Sequence, residues 1–283
     1  MIDKTNKLKK EQIESFFDDG FLFPIKVLSK KETNEIATSI LNYHLSDEAQ
    51  SNQNLSNEIY RFKTYLIFEW ADYLVHNKKV LDLAESIIGS NILIWSVGMF
   101  IKPPASNMYV TWHQDATYYG LNKLNQVINI WISITDSTLE NGYMSYLPKS
   151  HKLGQIDHVD TWDKNNIISR GEKADINIDE SLAVPVIMNA GDASLHHLYT
   201  LHKSVPNKTD KFRIGVVLRY LSTEVKPLSG KDCAMLVRGI DKYNHFINES
   251  RPKKNLHPDA LKLHKEMMNL RDMNTGHNNL NSI

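Results

Sequence analysis

The sequence predicts a mainly β protein with helical additions, a β-barrel or jelly roll carrying an N-terminal helical layer. Three observations predict it. Apolar residues within the first ninety positions recur with helical spacing. From Ile92 onward the pattern changes to short alternating or β-rich runs. The 283 residues, 41% hydrophobic and 23% charged, have the profile of one compact unit, and large β-barrels reach this length as a single domain.

The elements follow in order. Leu8 to Phe17 is amphipathic, and Ser29 with Glu32 three positions later forms a capping box that opens a second helix toward Leu45. Asn77 is placed to cap a third helix, in which Val80, Leu83, Ala84, Ile87 and Ile88 keep one face apolar and Gly89 supplies the stop. Strands are expected over Ile92 to Ile101, Met108 to His113, Val127 to Ile134, Gly142 to Leu147, Ala183 to Met188, Ala193 to Leu201 and Arg213 to Leu221, enough for a sandwich or barrel. Between them His151 to Asp179 is long, polar and aperiodic, the mark of a functional loop or lid. Pro258 to Leu270 reads as a closing helix and Asn274 to Ile283 as a frayed tail. The expected organisation is a single domain: a helical layer over about 8–90, a jelly-roll core over about 91–240, and a C-terminal helix and tail over 241–283.

Composition excludes several classes of function. Thirty-three basic residues balance thirty-three acidic ones, so no basic stripe is available for nucleic-acid phosphates or an anionic membrane surface. The single cysteine, Cys233, excludes internal disulfides and Cys-rich zinc modules and fits a reducing compartment. No apolar run approaches the roughly 18 residues of a bilayer span, and the N-terminus does not read as a signal peptide. The expected location is cytoplasmic and the expected partner a small molecule, with no nucleic acid and no membrane; the oligomeric state stays open.

Twelve histidines invite a metal reading, but the pattern His-x-Asp/Glu occurs four times, where roughly one or two instances would arise by chance at this acidic content. Context separates them. A histidine and a carboxylate two apart on an extended strand point the same way and can grip one ion, whereas on a helix they diverge. That disfavours His257 and His264, at or in the final helix, while nothing fixes the direction of His158 in the polar loop. His113 and Asp115 end a strand and could form two corners of a two-His-one-carboxylate iron site. His202 is the best candidate for the third, a turn histidine being the plain alternative.

Two strands add polar faces. From Arg213 to Tyr220 one face carries Ile214, Val216, Leu218 and Tyr220, and the other Arg213, Gly215, Val217 and Arg219. Two arginines on one strand face must reach solvent or meet an anion, because an unpaired buried charge costs several kcal/mol. A cosubstrate carboxylate held by the guanidinium fork would satisfy one of them. In Val127 to Ile134 the isoleucines make one face and Asn129, Trp131 and Ser133 the other. That strand is either an edge with one wet side or a pocket wall with an indole donor at Trp131.

His113-x-Asp115, His202 with Ser204 and Asn207, and Arg213 eleven residues after His202 resemble the phytanoyl-CoA dioxygenase family of iron(II)- and 2-oxoglutarate-dependent oxygenases. Further elements match in order: Glu11 to Ile13 with Gly20 to Phe23, Lys102 to Pro104, Trp112 to Asp115, Glu140 to Gly142, and Leu147 to His151. The resemblance runs from about Glu11 to about Phe246. It implies a double-stranded β-helix, a cupin-like jelly roll. It also implies iron(II) held by His113, Asp115 and His202, which would be the catalytic residues, and 2-oxoglutarate held by Arg213 and Ser204. Trp131 would line the pocket, and Lys102 would lie near cosubstrate or substrate. Dioxygen would be the oxidant, with succinate and carbon dioxide formed as a C–H bond is hydroxylated. Because Asp115 is present where halogenases of the family carry a small residue, a hydroxylase is implied.

For the substrate, Trp112 to Leu121, Thr135 to Asn141, Ser169 to Gly171, Ser194 to His197 and Leu236 to Gly239 are similar to the 2-aminoethylphosphonate dioxygenase branch, which implies a role in phosphonate metabolism. A phosphonate dianion needs several donors; Arg219, Arg170 and Tyr118 are candidates, with Gln114 and His197 as further contacts. Each has a plain alternative as an internally paired, solvated or packed side chain. Hydroxylation of another small zwitterion, betaine-, amino-acid- or ectoine-like, would change only the pocket. A non-catalytic metal- and ligand-binding jelly roll is the alternative from a different class, and Arg213 with Ser204 argues against it.

Overall fold

The computed structural model describes residues 6–275 except 169 and 229; the expected tail beyond Thr275 and position 169 of the Ser169 to Gly171 motif lie outside the described residues. The helices are α1 (Lys10–Asp19), α2 (Lys30–His44), α3 (Asp47–Ser51), α4 (Gln53–Arg61), α5 (Glu69–His76), α6 (Lys78–Ile88) and α7 (Pro258–Thr275). The strands are β1 (Phe21–Lys26), β2 (Ile92–Lys102), β3 (Val110–His113), β4 (Val127–Ser133), β5 (Met144–Tyr146), β6 (His158–Val159), β7 (Lys173–Ala174), β8 (Val184–Val186), β9 (Asp192–His196), β10 (His202–Ser204), β11 (Arg213–Ser222), β12 (Cys233–Arg238) and β13 (Ile247–Asn248).

Seven strands form a major sheet in the order β1-β9-β4-β11-β2-β12-β13, and four form a minor sheet in the order β3-β10-β5-β8. Trp131 and Val217 from the major sheet pack with Met144, Tyr146 and Val186 from the minor one, which is the sandwich of a jelly roll. The outer face of the major sheet carries Ile128, Ile130, Ile132, Val216 and Leu218, all fully buried beneath Ile36, Ile40, Leu74, Val80 and Leu83 of the helical layer. Burying each such side chain contributes about 1.5–3 kcal/mol, so the period-two alternation of β4 and β11 fixes which face is left for the cavity.

The caps form where the residues predict them. Ser29 Oγ accepts from Glu32 N while Glu32 Oε2 accepts from Ser29 N, and Asn77 Oδ1 accepts from the amides of Lys79 and Val80. Among the described residues no helix is long and apolar enough to cross a membrane.

Three sequence expectations need correction. The first ninety residues are not purely helical: Phe21–Lys26 is a strand that pairs with β9 and closes one edge of the major sheet. The run Ala193 to Leu201 is not one strand. It stops at His196 in the major sheet, turns over residues 197–201, and re-enters the minor sheet at His202. Cys233–Arg238 is an added strand beside β2, hidden because its residues do not alternate. Among its described residues the polar stretch 151–179 contains the rest of one short 3₁₀ turn (Ser150–Leu153), a single bridge from Asn166 to Tyr109, and the two-residue pair β6 with β7.

Candidate active site

His113 closes β3 and His202 opens β10, and the two are direct cross-strand partners, with ring centroids 4.0 Å apart. Asp115 follows two residues after His113, where the chain is still extended at Gln114 (φ −114°, ψ 135°) before a 3₁₀ turn begins. The three side chains are buried, and one ligand atom from each lies within 4.8 Å of the others. Asp115 Oδ1 is 3.6 Å from His113 Nε2 and 4.0 Å from His202 Nε2. Each ring is fixed from behind: His113 Nδ1 donates to Thr111 O and His202 Nδ1 to Thr200 O, both at 3.0 Å. With the proton on Nδ1, both Nε2 lone pairs face the centre, as a metal requires. Burial, reinforced by neighbouring His113, holds His202 well below its ordinary pKa and so in the neutral, ligating form.

Burial alone would raise the Asp115 pKa. The neighbouring His113, His196 and His202 outweigh it, keeping the carboxylate ionised. Its second oxygen, Oδ2, accepts from Asn129 Nδ2 and from His196 Nε2 at 3.2 Å, leaving Oδ1 as the single oxygen offered to the centre. His196 Nδ1 in turn accepts from Tyr146 OH at 3.1 Å, and Tyr146 OH is bonded to Ser194 Oγ. Two imidazole nitrogens and one carboxylate oxygen on one side of a buried point suit iron(II).

A second cluster lies along β11 and β2. Arg213 and Lys102 are direct cross-strand partners, 2% and 0% exposed, and neither has a carboxylate within 4.0 Å among the described residues. Arg213 donates through Nε and Nη2 to Gly142 O, and its guanidinium stands 5.7 Å from the Trp131 ring. Lys102 Nζ donates to Ser204 Oγ at 2.7 Å and to Val205 O at 2.5 Å. Gly215 makes room for the indole, since a Cβ there would sit 2.1 Å from Trp131. Burial pushes Arg213 down to about 10. Burial and then the field of Arg213 push Lys102 down to about 6. A buried guanidinium, an amine and a hydroxyl with no acid among them are donors that an arriving carboxylate would meet.

His113, Asp115, His202, Trp131, Ser204 and Arg213 line one cavity of about 490 Å³, which the fully buried Lys102 does not itself line. Its remaining wall includes Arg61, Trp95, Thr117, Tyr119, Ile168, Arg170, Arg219 and Asp232. The substrate candidates of the sequence divide accordingly. Arg219 lines the cavity, its Nε donating to Tyr119 OH at 2.7 Å. Arg170 also lines it but is paired with Asp160 at 3.0 Å and Glu172 at 3.2 Å. Gln114 does not line it. Fully buried, it donates to Gly154 O and Tyr199 O and accepts from Ile156 N, tying the 151–179 loop to the site. His197 does not line the cavity either; it follows the end of β9 and lies 5.3 Å from the tilted His151 ring, while His196 faces inward. The Tyr118 side chain lies outside what the structure describes. Sequence reasoning missed Asn129 as a contact of Asp115, although it shares a face with Trp131, and missed Asp232, whose Oδ2 accepts from Trp95 Nε1 at 2.7 Å.

The profile of the family described as phytanoyl-CoA dioxygenase matches residues 16–215, well over half of the chain. The chain belongs to the phytanoyl-CoA dioxygenase family. As a member it is an iron(II)- and 2-oxoglutarate-dependent dioxygenase, and the buried His-Asp-His set fits its metal. A probable α-ketoglutarate-dependent hypophosphite dioxygenase from Stutzerimonas stutzeri is 29% identical over 240 residues, covering 78% of this chain and 81% of that protein. A methylphosphonate hydroxylase from Gimesia maris is 33% identical over 147 residues, 52% of each chain. Among solved structures, a non-heme monooxygenase, ThoJ in its apo form, superposes with a TM-score of 0.84 at 33% identity, covering 95% of this chain and 99% of that one. The jelly roll of this dioxygenase therefore recurs over nearly its whole length.

Proposed function

We propose that this dioxygenase hydroxylates a C–H bond of a small organophosphonate, 2-aminoethylphosphonate foremost. In this reading His113, Asp115 and His202 hold iron(II), and Arg213, Lys102 and Ser204 hold the distal carboxylate of 2-oxoglutarate above Trp131. Bound iron and cosubstrate supply the activation of dioxygen, with 2-oxoglutarate becoming succinate and carbon dioxide. The chain itself fixes both imidazoles through Thr111 O and Thr200 O, keeps Asp115 to one free oxygen, and encloses the reactants among Trp95, Tyr119, Trp131 and Ile168.

The observation that carries the substrate class is a second cationic region in the same cavity. Arg219 has no ion pair within 4.0 Å among the described residues, and Arg61, though exposed, stands in the same wall, which supports a second place for an anion beside the Arg213 cluster. Asp232 in the same wall offers a carboxylate to an ammonium group. The names of the hypophosphite and methylphosphonate relatives support phosphorus oxyanions as the class.

The test is anaerobic loading with iron(II) and 2-oxoglutarate, then oxygen, with succinate and phosphorus-containing products quantified for 2-aminoethylphosphonate, methylphosphonate, hypophosphite and carboxylate zwitterions. Succinate formed in step with a hydroxylated phosphonate is expected. Succinate driven only by a carboxylate zwitterion would discard the phosphonate and keep the dioxygenase.

The Lys102 environment adds a proton-linked expectation. In the ligand-free protein this amine is neutral above about pH 6, and an arriving carboxylate favours its charged form. Binding of 2-oxoglutarate is then accompanied by proton uptake, and affinity falls by up to ~tenfold per pH unit above about 6, until the pKa of the bound state is passed. Calorimetry at pH 7.5 in two buffers of different ionisation enthalpy measures the uptake. Lys102→Met should abolish it; equal heats in both buffers for the parent protein would show that Lys102 does not meet the carboxylate.

A further inference from the structure

A polar row crosses the major sheet, and two of its four residues, His196 and Arg219, line the cavity. Strand register places His196 of β9 opposite Asn129 of β4, Asn129 opposite Arg219 of β11, and Arg219 opposite Ser96 of β2. Directly opposite residues of antiparallel neighbours share a face, so the four side chains stand on the cavity side of the sheet. The rows beside it are largely apolar: Trp131, Val217 and Gly98 lie on one side of this line, and the helix-covered face lies beneath.

At one end the row meets the iron-ligand carboxylate through Asn129 and His196, both bonded to Asp115 Oδ2. From the other end three hydrogen bonds run in one direction. Arg219 Nε donates to Tyr119 OH at 2.7 Å, Tyr119 OH donates to Asn129 Oδ1 at 3.1 Å, and Asn129 Nδ2 donates to Asp115 Oδ2. A chain with every donor pointing the same way polarises each successive bond.

The far end has donors to spare. Arg219 Nη1 and Ser96 Oγ are both buried without a hydrogen-bond partner among the described residues, and Ser96 is 3% exposed. Such groups are costly to leave unmet, which points to a ligand that meets them. The local backbone serves this end. A register shift between Arg219 and Tyr220 leaves Trp95 as the extra residue of β2 and brings its indole to the cavity wall, where it packs edge-on at 4.9 Å against Tyr119. Glycine at position 98 leaves the guanidinium its place, since a Cβ there would lie 3.3 Å from Arg219 Nη1 and 2.8 Å from Arg61 O.

We propose that Arg219 and Ser96 seat an oxyanion of the substrate, and that Tyr119 and Asn129 are positioning residues that tie this seat to Asp115. The proposal rests on the phosphonate reading above and says which residues recognise the anion. With the row complete, the amide of Asn129 is locked between the Tyr119 hydroxyl and Asp115 Oδ2, so the carboxylate is held in its single-oxygen orientation while the seat is filled. Without Tyr119 OH the amide loses the partner that fixes its rotation, and the orientation of Asp115 no longer depends on the seat.

The experiment uses full-length protein loaded anaerobically with iron(II) and 2-oxoglutarate. It follows the visible absorption band of that complex as 2-aminoethylphosphonate is added, then measures succinate and hydroxylated product after oxygen. In Arg219→Gln the band forms at the parent's 2-oxoglutarate concentration, while the phosphonate needed to perturb it rises about 10- to 100-fold, the range for losing a charge-assisted contact. Ser96→Ala, a smaller change that keeps the strand intact, shifts the titration about 2- to 10-fold in the same direction. Tyr119→Phe loses less affinity than Arg219→Gln, but its ratio of succinate to hydroxylated product climbs above one, a readout that simple loss of packing would not move. Phosphonate titrations of Arg219→Gln and Ser96→Ala that superimpose on the parent's would overturn the seat, and a one-to-one ratio in Tyr119→Phe would overturn the tie to Asp115. If no phosphonate perturbs the band of the parent protein, the substrate class itself fails.

Discussion

Alanine in place of Asp115 is expected to abolish iron binding and, with it, product formation. Asp115 Oδ1 is the only anionic donor of the set, 3.6 and 4.0 Å from the two Nε2 atoms, and alanine leaves two neutral imidazoles to hold a divalent ion. The loss should therefore exceed the ~10- to 100-fold that follows from altering groups behind the ligands. The substitution also strips Asn129 Nδ2 and His196 Nε2 of their shared acceptor, at a cost of about 1–3 kcal/mol for each donor left unmet. Anaerobic iron(II) titration followed by product analysis measures both effects. Hydroxylated product at the parent rate would sink the assignment of Asp115 as a ligand.

Replacing Arg213 with methionine is expected to have the second largest effect, and one of a different kind. Removing one side of a buried, hydrogen-bonded charge pair costs about 2–5 kcal/mol, so 2-oxoglutarate affinity should fall by about 30-fold or more while iron(II) affinity stays near the parent value. Stability should move the other way. In the ligand-free protein Arg213 is 2% exposed and, among the described residues, hydrogen-bonds only to a carbonyl oxygen, Gly142 O, with burial pushing its pKa down to about 10. An apolar side chain of similar length removes that uncompensated charge, so the ligand-free variant should melt no lower than its parent, while added 2-oxoglutarate should raise the melting temperature of the parent alone. Equal losses of iron and 2-oxoglutarate binding would show that Arg213 supports the metal centre and not the cosubstrate.

The legible part of this fold and site is the part written in local pattern. Alternation along Val127 to Ile134 and Arg213 to Tyr220 fixes which residues face the helices and which face the cavity, so Trp131, Arg213 and Arg219 could be singled out from the sequence. The helix caps at Ser29 and Asn77 are equally local. What pairing between distant strands decides was not legible. The β1 edge depends on β9, 170 residues later in the chain, and nothing in Phe21 to Lys26 names that partner. Of the adjacent His196 and His197, the first ends β9 facing inward and the second opens the turn after it, and the inward one was missed because the expected strand ran on to Leu201. Gln114 sits between two metal-site residues yet ties down a loop, a role set by where residues 154–156 return and not by its neighbours in sequence. Asp232 reaches the cavity wall from just before β12, a strand that was itself not legible.

The pairing of His113 directly across from His202 ties the chemistry to strand registration. Side chains alternate from one face of a strand to the other, so sliding β10 by one residue against β3 would point Lys203 at the centre and turn His202 outward. The slip would also turn Ser204 away from Lys102. A chain folded with that error could keep most of its apolar burial, yet it would offer iron only two donors. Tight iron uptake would thus act as a proofreading signal for the minor sheet, reporting that two of its short strands have met in the right frame.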